Sequence, residues 1–441
     1  METPEINIGI VKGESIFFSF NGEYILAETG ALITGEQKVS VNNGKILFNG
    51  KWHDELFFEP TGDDVSFDLM DVTIGIDFHW ERKENQRFKG ALNLIVDGES
   101  IVAINQIDIE SYLSSVISSE MNSDAPGEFL KAHAVISRSW VMSQIRKSLR
   151  RHEDSKGEGQ VETENRRIKW YDREDHKLFD VCADDHCQRY QGISRKTNPQ
   201  IEKIIDKTYG EVLMYDGEIC DARFSKCCGG AIEEFDACWE DISVPYLKSA
   251  GDNQYDLLIE DLTKEEDAEK WIRSSPKAFC NTHDKQLLQK ILNNYDCETP
   301  DFYRWKVSYS QETLSKLIEK RTGIDFGNII DLVPLKRGKS GRIYELMIKG
   351  SKRNMVIGKE LEIRRSLSES HLYSSAFVVD KVMGKDGIPE EFTLTGSGWG
   401  HGVGLCQIGA AVMSTEGYTY KEILKHYFPG SVLEKIYEKE K

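Results

Sequence analysis

The chain has 441 residues, of which 39% are hydrophobic and 29% are charged, a balance that is typical of a globular protein. The net charge is −18, and the only dense basic run is 146–151, so nucleic-acid binding is not predicted. The apolar runs are too short to span a bilayer, which predicts no transmembrane segment.

The first ten residues contain acidic side chains and a proline, and they lack the basic and then apolar pattern of a signal peptide. We therefore expect either that a signal has been removed or that the chain does not use that export route.

Residues 1–80 predict a small β-rich module. Short apolar and β-branched stretches are separated there by tight-turn dipeptides such as Asn21-Gly22 and Asn43-Gly44. A further hairpin is predicted at 90–107 around Asp97-Gly98. The module carries no obvious chemistry of its own.

The pattern then changes to helical spacing, with Ile109, Leu113 and Val116 leading to Glu120. A carboxylate at the end of an apolar helix, beside small residues, is set up for partial desolvation. Desolvation raises a carboxyl pKa, as general acid catalysis at neutral pH requires. The alternative is a surface glutamate that caps the helix.

A second helix is predicted from Pro126 onward. Lys131 and Arg138 are seven residues apart and so lie on one face of it. Such a cationic face could bind sugar hydroxyls or a lactyl carboxylate. The alternative is an exposed helix face with ordinary charges.

Two insertions are predicted, a charged and solvated one at 146–175 and a mostly helical one at 252–300. Directly after the first insertion begins a set of two imidazoles and two thiols, which is plausible for tetrahedral zinc: His176, Cys182, His186 and Cys187. Four protein ligands leave no open position, so the zinc would be structural. The alternatives are a Cys182–Cys187 disulfide and free thiols.

Five glycines alternate with other residues in a loop at 396–404. Trp399 offers a flat face on which a sugar ring can pack, and His401 offers a proton-exchanging or hydrogen-bonding group. The alternative is a tight strand-to-helix turn with a buried tryptophan. For the cysteines at 220–238, packing or a disulfide is favoured over a second metal.

These segments resemble the stage II sporulation protein D family, which also includes amidase-enhancer proteins. The resemblance covers about 85–437 and rests on the order and spacing of these stretches: QIDIESYLSSVISSEM (106–121), KAHAVISR (131–138), CQRYQG (187–192), CGG (228–230), PYL (245–247) and GWGHGVGLCQIGA (398–410). The predicted fold is α+β, with the β-rich amino-terminal module followed by a mixed α/β catalytic domain at 85–437 that carries the helical insertions.

The resemblance implies lytic transglycosylase activity on peptidoglycan glycan strands already stripped of peptides. The family's catalytic glutamate falls on Glu120, and its zinc loop resembles the set from His176 to Cys187. The candidate substrate-binding residues are Lys131, Arg138, Trp399, His401 and Gln407. The family also implies a place in the cell envelope or periplasm, and a wall amidase as a partner. The chain departs from the family in having Cys227, Cys228 and Cys406 where small hydroxyl residues are common.

Two other functions remain open from the sequence. The first is a glycoside hydrolase, in which a second carboxylate works with Glu120. The candidates for that carboxylate are Asp108, Glu110, Asp124 and Glu128. The second is a wall-binding protein without turnover, which enhances a separate N-acetylmuramoyl-L-alanine amidase.

Overall fold

The computed structural model describes residues 3–75, 81–122, 124–151, 159–171, 176–184, 186–193, 199–255, 260–292 and 301–439, and for 148–151 it describes the backbone alone. Parts of both predicted insertions therefore lie outside the described residues. Within the described ranges, no helix combines the length and the apolar character that a membrane crossing needs.

The strands follow one another along the chain as β1 (Glu5–Gly13), β2 (Ser15–Leu26), β3 (Ala31–Asn42), β4 (Lys45–Phe48), β5 (Lys51–His53), β6 (Glu55–Pro60), β7 (Ser66–Ile74), β8 (Arg82–Phe88), β9 (Ala91–Asp97), β10 (Ser100–Asp108), β11 (Gln160–Thr163), β12 (Arg166–Lys169), β13 (Val181–Cys182), β14 (Glu211–Tyr215), β15 (Glu218–Ile219), β16 (Phe224–Ser225), β17 (Arg304–Ser310), β18 (Ile329–Arg337), β19 (Ile343–Gly350), β20 (Asn354–Gly358), β21 (Phe377–Met383), β22 (Pro389–Ser397), β23 (Leu405–Cys406) and β24 (Val432–Lys435). The α-helices are α1 (Ile109–Glu120), α2 (Gly127–Arg151), α3 (Pro199–Lys207), α4 (Glu265–Arg273), α5 (Lys285–Ile291), α6 (Gln311–Thr322), α7 (Glu360–Ser366), α8 (Gln407–Thr415) and α9 (Tyr420–Tyr427).

The largest sheet combines β1 to β10 with the later strand β13. Its main path runs β13-β1-β10-β9-β6-β2-β3-β4-β5, and β7 and β8 branch from β2. Side chains alternate between the two faces of each strand, so in β2 the residues Ile16 and Phe18 are buried while Phe17 is exposed. The predicted hairpin at 90–107 is confirmed, because β9 and β10 pair antiparallel with Ser100 opposite Asp97.

The predicted β-rich amino-terminal part is present, and its sheet extends past residue 80. Leu56 of β6 pairs with Leu94 of β9, and Phe67 of β7 pairs with Phe88 of β8. The sheet therefore takes in strands from both sides of the predicted domain boundary, and the division into domains stays a prediction.

Helix α1 follows β10 directly and packs against β10 and β1, and α2 packs against α1. The Asp108 side chain accepts hydrogen bonds from the backbone N–H groups of Glu110 and Ser111, which caps the start of α1. Apolar residues of α1 such as Leu113 and Val116 are fully buried. The helical spacing seen in the sequence thus marks the face of α1 that enters the core.

The remaining strands form smaller sheets, the largest of which runs β11-β12-β20-β19-β18. In the described part of the charged insertion, β11 and β12 form a hairpin, and β12 pairs in parallel with β20. The helical insertion contains α4 and α5. Buried residues from the range Trp305 to Leu394 form a second hydrophobic core, which is separate from the main one. The predicted α+β fold class is confirmed.

Candidate functional site

Glu120 is the last residue of α1, and its carboxylate is held by the chain segment that follows the histidine and cysteine cluster. The backbone N–H of Arg189 donates a hydrogen bond of 2.9 Å to Glu120 Oε1. Glu120 is partly exposed, whereas the preceding Ser119 is buried. One carboxylate oxygen is therefore positioned by the backbone while the residue keeps access to solvent.

The segment 187–191 lies along α1 through two further contacts. The hydroxyl of Tyr112 donates to Gln188 Oε1 over 3.2 Å, and the backbone N–H of Gln191 donates to Ser115 Oγ over 3.2 Å. Tyr112 and Ser115 are both buried. The segment thus has a fixed register along the helix that ends in Glu120.

The four predicted metal ligands come together in the structure. The candidate donor atoms of His176, Cys182, His186 and Cys187 all lie within 4.8 Å of one another. Cys187 Sγ is 3.4 Å from His176 Nε2 and 3.6 Å from His186 Nδ1, and Cys182 Sγ is 4.0 Å from His186 Nδ1.

These distances fit a tetrahedral zinc ion. With ordinary Zn–S and Zn–N bond lengths, a sulfur and a nitrogen ligand are separated by about 3.6 Å along an edge of the tetrahedron. The donor set of two thiols and two imidazoles is also one that zinc prefers. The residues present therefore fit the ion, and a metal is not shown by the structure itself.

The surroundings of Cys182 favour its thiolate form, which is the form that binds a metal. A hydrogen bond from Cys187, more than those from His176 and His186, lowers the pKa of Cys182 to about 2 against the opposing effect of burial. Burial first, and then the negative charges of Cys187, Cys182 and Glu120, raise the pKa of Tyr112 well above its ordinary value. Tyr112 is therefore a neutral hydroxyl donor between the cluster and Glu120.

The cluster is anchored to the large sheet through β13, which pairs in parallel with β1. Asp180 Oδ2 accepts a hydrogen bond of 2.9 Å from the backbone N–H of Asn7. The ring of Phe179 lies so close to Gly9 that a Cβ added there would be 2.5 Å from the ring. Glycine at position 9 thus permits the close approach of the metal-ligand segment to β1.

Arg138 does not lie where a substrate can reach it. It is fully buried, and its guanidinium makes a two-bond ion pair with Glu110, at 2.9 Å from Nε to Oε1 and 2.6 Å from Nη2 to Oε2. Glu110 Oε1 also accepts from the hydroxyl of Tyr437. Arg138 therefore joins α1 to α2 and supports the core, and the predicted cationic face it would share with Lys131 is not formed.

Lys131 is mostly buried and pairs with Glu128 one turn earlier on α2. Its Nζ lies 5.6 Å from the centre of the Tyr420 ring, a cation–π distance. The carboxylate of Glu128 also accepts from the backbone N–H of Tyr420 over 2.8 Å. Lys131 is thus part of the contact between α2 and α9.

The glycine-rich loop is a tight crossing between β22 and α8, as its glycine content indicated. A Cβ at Gly402 would lie 2.4 Å from Arg342 Cζ, and one at Gly404 would lie 2.1 Å from the carbonyl oxygen of Arg223. Both glycines also have positive φ angles, of 77° and 72°. Side chains at these two positions would therefore strain the backbone and collide with neighbouring segments.

The loop presents Trp399 and His401 at partly exposed positions. The Trp399 ring packs against Tyr373 at 4.6 Å between ring centres, and Lys226 Nζ lies 5.3 Å from it. His401 Nδ1 accepts a hydrogen bond of 3.0 Å from the backbone N–H of Val403. Burial, together with nearby arginines, lowers the pKa of His401 well below its ordinary value, so it is a neutral hydrogen-bonding group.

Gln407 is buried at the start of α8, where its side chain lies 3.2 Å from His133 Nε2. Burial lowers the pKa of His133 to about 4, so this imidazole is neutral at physiological pH. This contact connects the segment after the glycine-rich loop to α2, so Gln407 and His133 have a structural role.

The structure thus brings Glu120 into contact with the segment that follows the predicted metal ligands, and it holds the side chains of Lys131, Arg138 and Gln407 in packing contacts. Sequence reasoning missed the backbone contact from Arg189 and a buried group containing Asp252 and Cys280 that could also hold a metal. The first has no signature in residue type, because any residue supplies an N–H. The second joins residues far apart in the chain, although the crowding of cysteines was a signal.

Two family models match parts of the chain. Residues 97–215 match a family model described as "Stage II sporulation protein", and 233–404 match one described as a domain of unknown function. Glu120 and the zinc-type cluster lie in the first match, and Trp399 and His401 lie in the second.

Several relatives are similar over much of the chain. Stage II sporulation protein D of Bacillus subtilis is 24% identical over 334 residues, 75% of each chain. An uncharacterized protein of Brachyspira hyodysenteriae is 26% identical over 344 residues, 78% of this chain and 71% of the relative. The amidase enhancer of Bacillus subtilis is 27% identical over 267 residues, which are 56% of this chain and 34% of that protein. The segment at 97–215 thus matches the stage II sporulation protein family model, and most of the chain is similar to stage II sporulation protein D.

Proposed function

We propose that the chain cuts the glycan strands of peptidoglycan by lytic transglycosylation, with Glu120 as both acid and base. The observation that carries the proposal is the position of the Glu120 carboxylate. It is partly exposed, it is oriented by the N–H of Arg189, and it lies beside the histidine and cysteine cluster.

The reaction needs a single carboxyl group that changes its role. Glu120 as the acid donates its proton to the bridging oxygen while the glycosidic bond breaks. The resulting carboxylate then takes the proton of the sugar's own 6-hydroxyl, whose oxygen attacks the anomeric carbon and closes an anhydro ring. Glu120 is protonated again at the end, and no water is consumed.

The zinc would have a structural role and no catalytic one. His176, Cys182, His186 and Cys187 would occupy all four positions of a tetrahedral ion, which leaves none for substrate or water. When bound, the ion would fix the turn that leads to Arg189. The chain's own residues carry the chemistry, with Arg189 N–H orienting the carboxylate.

A hydrolase mechanism would need a second carboxylate, and the described contacts assign structural roles to Asp108, Glu110 and Glu128. Asp108 caps α1, Glu110 is buried against Arg138, and Glu128 pairs with Lys131. Asp124 is exposed and is the remaining candidate. This distribution favours the mechanism with one carboxylate over the one with two.

Trp399 is our candidate for packing against a sugar ring, with His401 as a neutral hydrogen-bonding partner. Its ring is partly exposed and is held by Tyr373, so the loop presents a rigid flat face.

The second candidate function is enhancement of a wall amidase without turnover, which the amidase enhancer among the relatives favours. Both functions concern the bacterial cell wall and place the protein in the cell envelope. They differ in whether purified protein alone changes the glycan.

The test is to incubate the purified protein with peptide-free glycan strands and to measure the products by mass spectrometry. Transglycosylation gives ends that are one water lighter than reducing ends. Products with reducing ends would instead establish hydrolysis, and intact strands would contradict cleavage and favour the amidase-enhancer function. Adding a wall amidase and peptide-bearing wall in a parallel reaction then measures that second function directly.

A further inference from the structure

A second cluster of metal-type ligands lies in the core, away from the first one. It consists of Cys228, Asp252, Cys280 and Cys406, all of them buried, with their donor atoms within 4.8 Å of one another. Cys228 Sγ and Cys280 Sγ are 3.6 Å apart. A fifth residue, Cys227, has its thiol within hydrogen-bonding range of Cys280 and Cys406.

The four ligands come from four separate segments. Cys228 follows β16, Asp252 lies after the bridge between Ala231 and Gly251, and Cys280 follows α4 in the helical insertion. Cys406 ends β23 directly before α8. No local motif brings them together, so their convergence is a product of the fold.

The donor atoms are supported by hydrogen bonds of the kind that orient metal ligands. The backbone N–H of Cys228 donates to Cys406 Sγ over 3.2 Å, and that of Cys280 donates to Asp252 Oδ2 over 2.9 Å. The hydroxyl of Tyr427 donates to Asp252 Oδ1 over 2.7 Å. Such contacts fix the direction of the lone pairs and favour the ionised ligand.

The Asp252 carboxylate is fully buried, with His426 Nε2 3.7 Å from its Oδ1, and a cation bound at the cluster would stabilise it further. A fully buried carboxylate beside three thiols is costly unless it is paired or bound to a metal. Two arginines flank the Cys228 segment: Arg342 donates to Cys228 O over 3.2 Å, and Arg304 donates to Gly229 O over 3.0 Å. A divalent ion bound at the cluster would offset part of the negative charge of the ionised ligands.

We propose that this cluster is a second structural zinc site, with Cys228, Cys280 and Cys406 as thiolate ligands and Asp252 as the fourth ligand. The sulfur separation of 3.6 Å is far longer than a disulfide bond and is close to the edge of a zinc–thiolate tetrahedron, about 3.8 Å. Soft thiolates select zinc over calcium and magnesium.

The site would stabilise the loop that carries Trp399. Cys227, next to Cys228, exchanges two backbone hydrogen bonds with Trp399, of 3.0 Å and 2.7 Å. Cys406 lies two residues after Gly404 and immediately precedes α8, the helix beyond the loop. An ion between Cys228 and Cys406 would therefore clamp both ends of the glycine-rich crossing.

The test measures zinc in protein purified under reducing conditions without chelators. To measure zinc in the second cluster without a contribution from the first, the experiment uses the Cys182→Ser chain, which lacks a ligand of the first cluster. This chain is expected to keep one zinc per molecule, and Cys182→Ser/Cys280→Ser is expected to keep none. The matched control is Cys182→Ser/Cys220→Ser, which removes a buried cysteine outside both clusters and is expected to retain the ion.

A measurement on the chain with all its cysteines keeps the proposal testable if the Cys280 variant does not fold. Zinc released by a mercurial thiol reagent is followed with a zinc indicator, and two ions per chain are expected. Cobalt bound to the Cys182→Ser chain is expected to show the charge-transfer absorption of thiolate ligands.

Three results would overturn the proposal. The first is a folded Cys182→Ser chain without zinc that binds no cobalt. The second is a peptide in which Cys228 and Cys280 are joined by a disulfide. The third is iron with acid-labile sulfide in place of zinc. None of these results depends on whether the protein cleaves glycan.

Discussion

The backbone N–H of Arg189 donates a hydrogen bond to Glu120 Oε1 over 2.9 Å, two residues after the metal-type ligand Cys187. The cluster and the carboxylate are therefore joined by one short segment of chain. Any change in the shape of that segment moves the donor that orients Glu120. The proposed acid and the proposed zinc are thus structurally linked, although only the first takes part in the reaction.

We predict that Glu120→Gln abolishes glycan cleavage while the protein remains folded. The amide cannot donate and retake the proton, so the rate should fall at least about a hundredfold. The measurement is the release of anhydro-ended products from peptide-free strands, with the melting temperature as the check of folding. The control is Asp124→Asn, which should keep its activity. If Asp124→Asn lost cleavage and Glu120→Gln retained it, Glu120 would not be the catalytic acid.

We predict that Cys187→Ser loses the zinc of the first cluster and with it most of the activity. The segment to Arg189 would relax, and a displacement of about 1 Å at a catalytic group can cost about a hundredfold in rate. Metal content and cleavage are measured on the same preparation. Glu120→Gln should keep its zinc, so the two variants separate chemistry from shape. Full activity in a Cys187→Ser protein that has lost the zinc of the first cluster would contradict the linkage.

We predict that Arg138→Met destabilises the fold strongly. It leaves the buried carboxylate of Glu110 without its counter-charge, which costs about 3–5 kcal/mol in comparable cases. Urea unfolding measures the loss. Adding Glu110→Gln should recover part of it. The control is Arg273→Met, which breaks a more exposed ion pair with Asp380 and should cost about 1 kcal/mol or less.

We predict that Gly402→Ala is more destabilising than Gly387→Ala. Both glycines have a φ angle close to 77°, at 77° and 78°, but only the Cβ at 402 would collide with Arg342. The strained backbone alone should cost about 1 kcal/mol, and the collision should raise the cost at 402 to about 3 kcal/mol. Equal effects in urea unfolding would show that the loop can move away from Arg342.

We predict that His133 makes the protein less stable as the pH falls from about 6.5 to about 4. Burial holds its folded pKa below the unfolded value, so in this window the unfolded chain takes up a proton that the folded chain does not. The free energy of unfolding should fall by about 3 kcal/mol from this group. His133→Gln should show a shallower pH dependence in urea unfolding, whereas His283→Gln, at an exposed position, should match the unchanged protein.

Much of the fold could be predicted because its signals are local. The turn dipeptides marked the amino-terminal strands, and the spacing of Leu113 and Val116 marked the buried face of α1. The extent of the large sheet could not be predicted, because the pairing of β6 with β9 and of β1 with β13 depends on which distant strands meet.

For the site, residue type and spacing suggested the four ligands from His176 to Cys187, and the resemblance to a known family was needed to favour Glu120 as the acid over a helix-capping glutamate. They were misleading for Arg138, because two residues on one helix face were taken to be exposed. That face of α2 at Arg138 is covered by α1 and by the segment around Tyr437. The position of a charged residue in a helix gives the direction of its side chain relative to the helix axis. Only the packing of the fold shows whether that side chain contacts solvent or other residues.

The sequence by itself predicted the α+β class and the resemblance to the stage II sporulation protein D family. It also proposed Glu120 as the acid and four residues from His176 to Cys187 as metal ligands, because each of these predictions rests on short runs of residues. The tertiary structure decided which carboxylates are committed to capping and ion pairs. It also decided that Arg189 orients Glu120 and that Asp252 and Cys280 join Cys228 and Cys406 in the core. These contacts depend on the meeting of distant segments, which hydrophobic burial drives and no local pattern records.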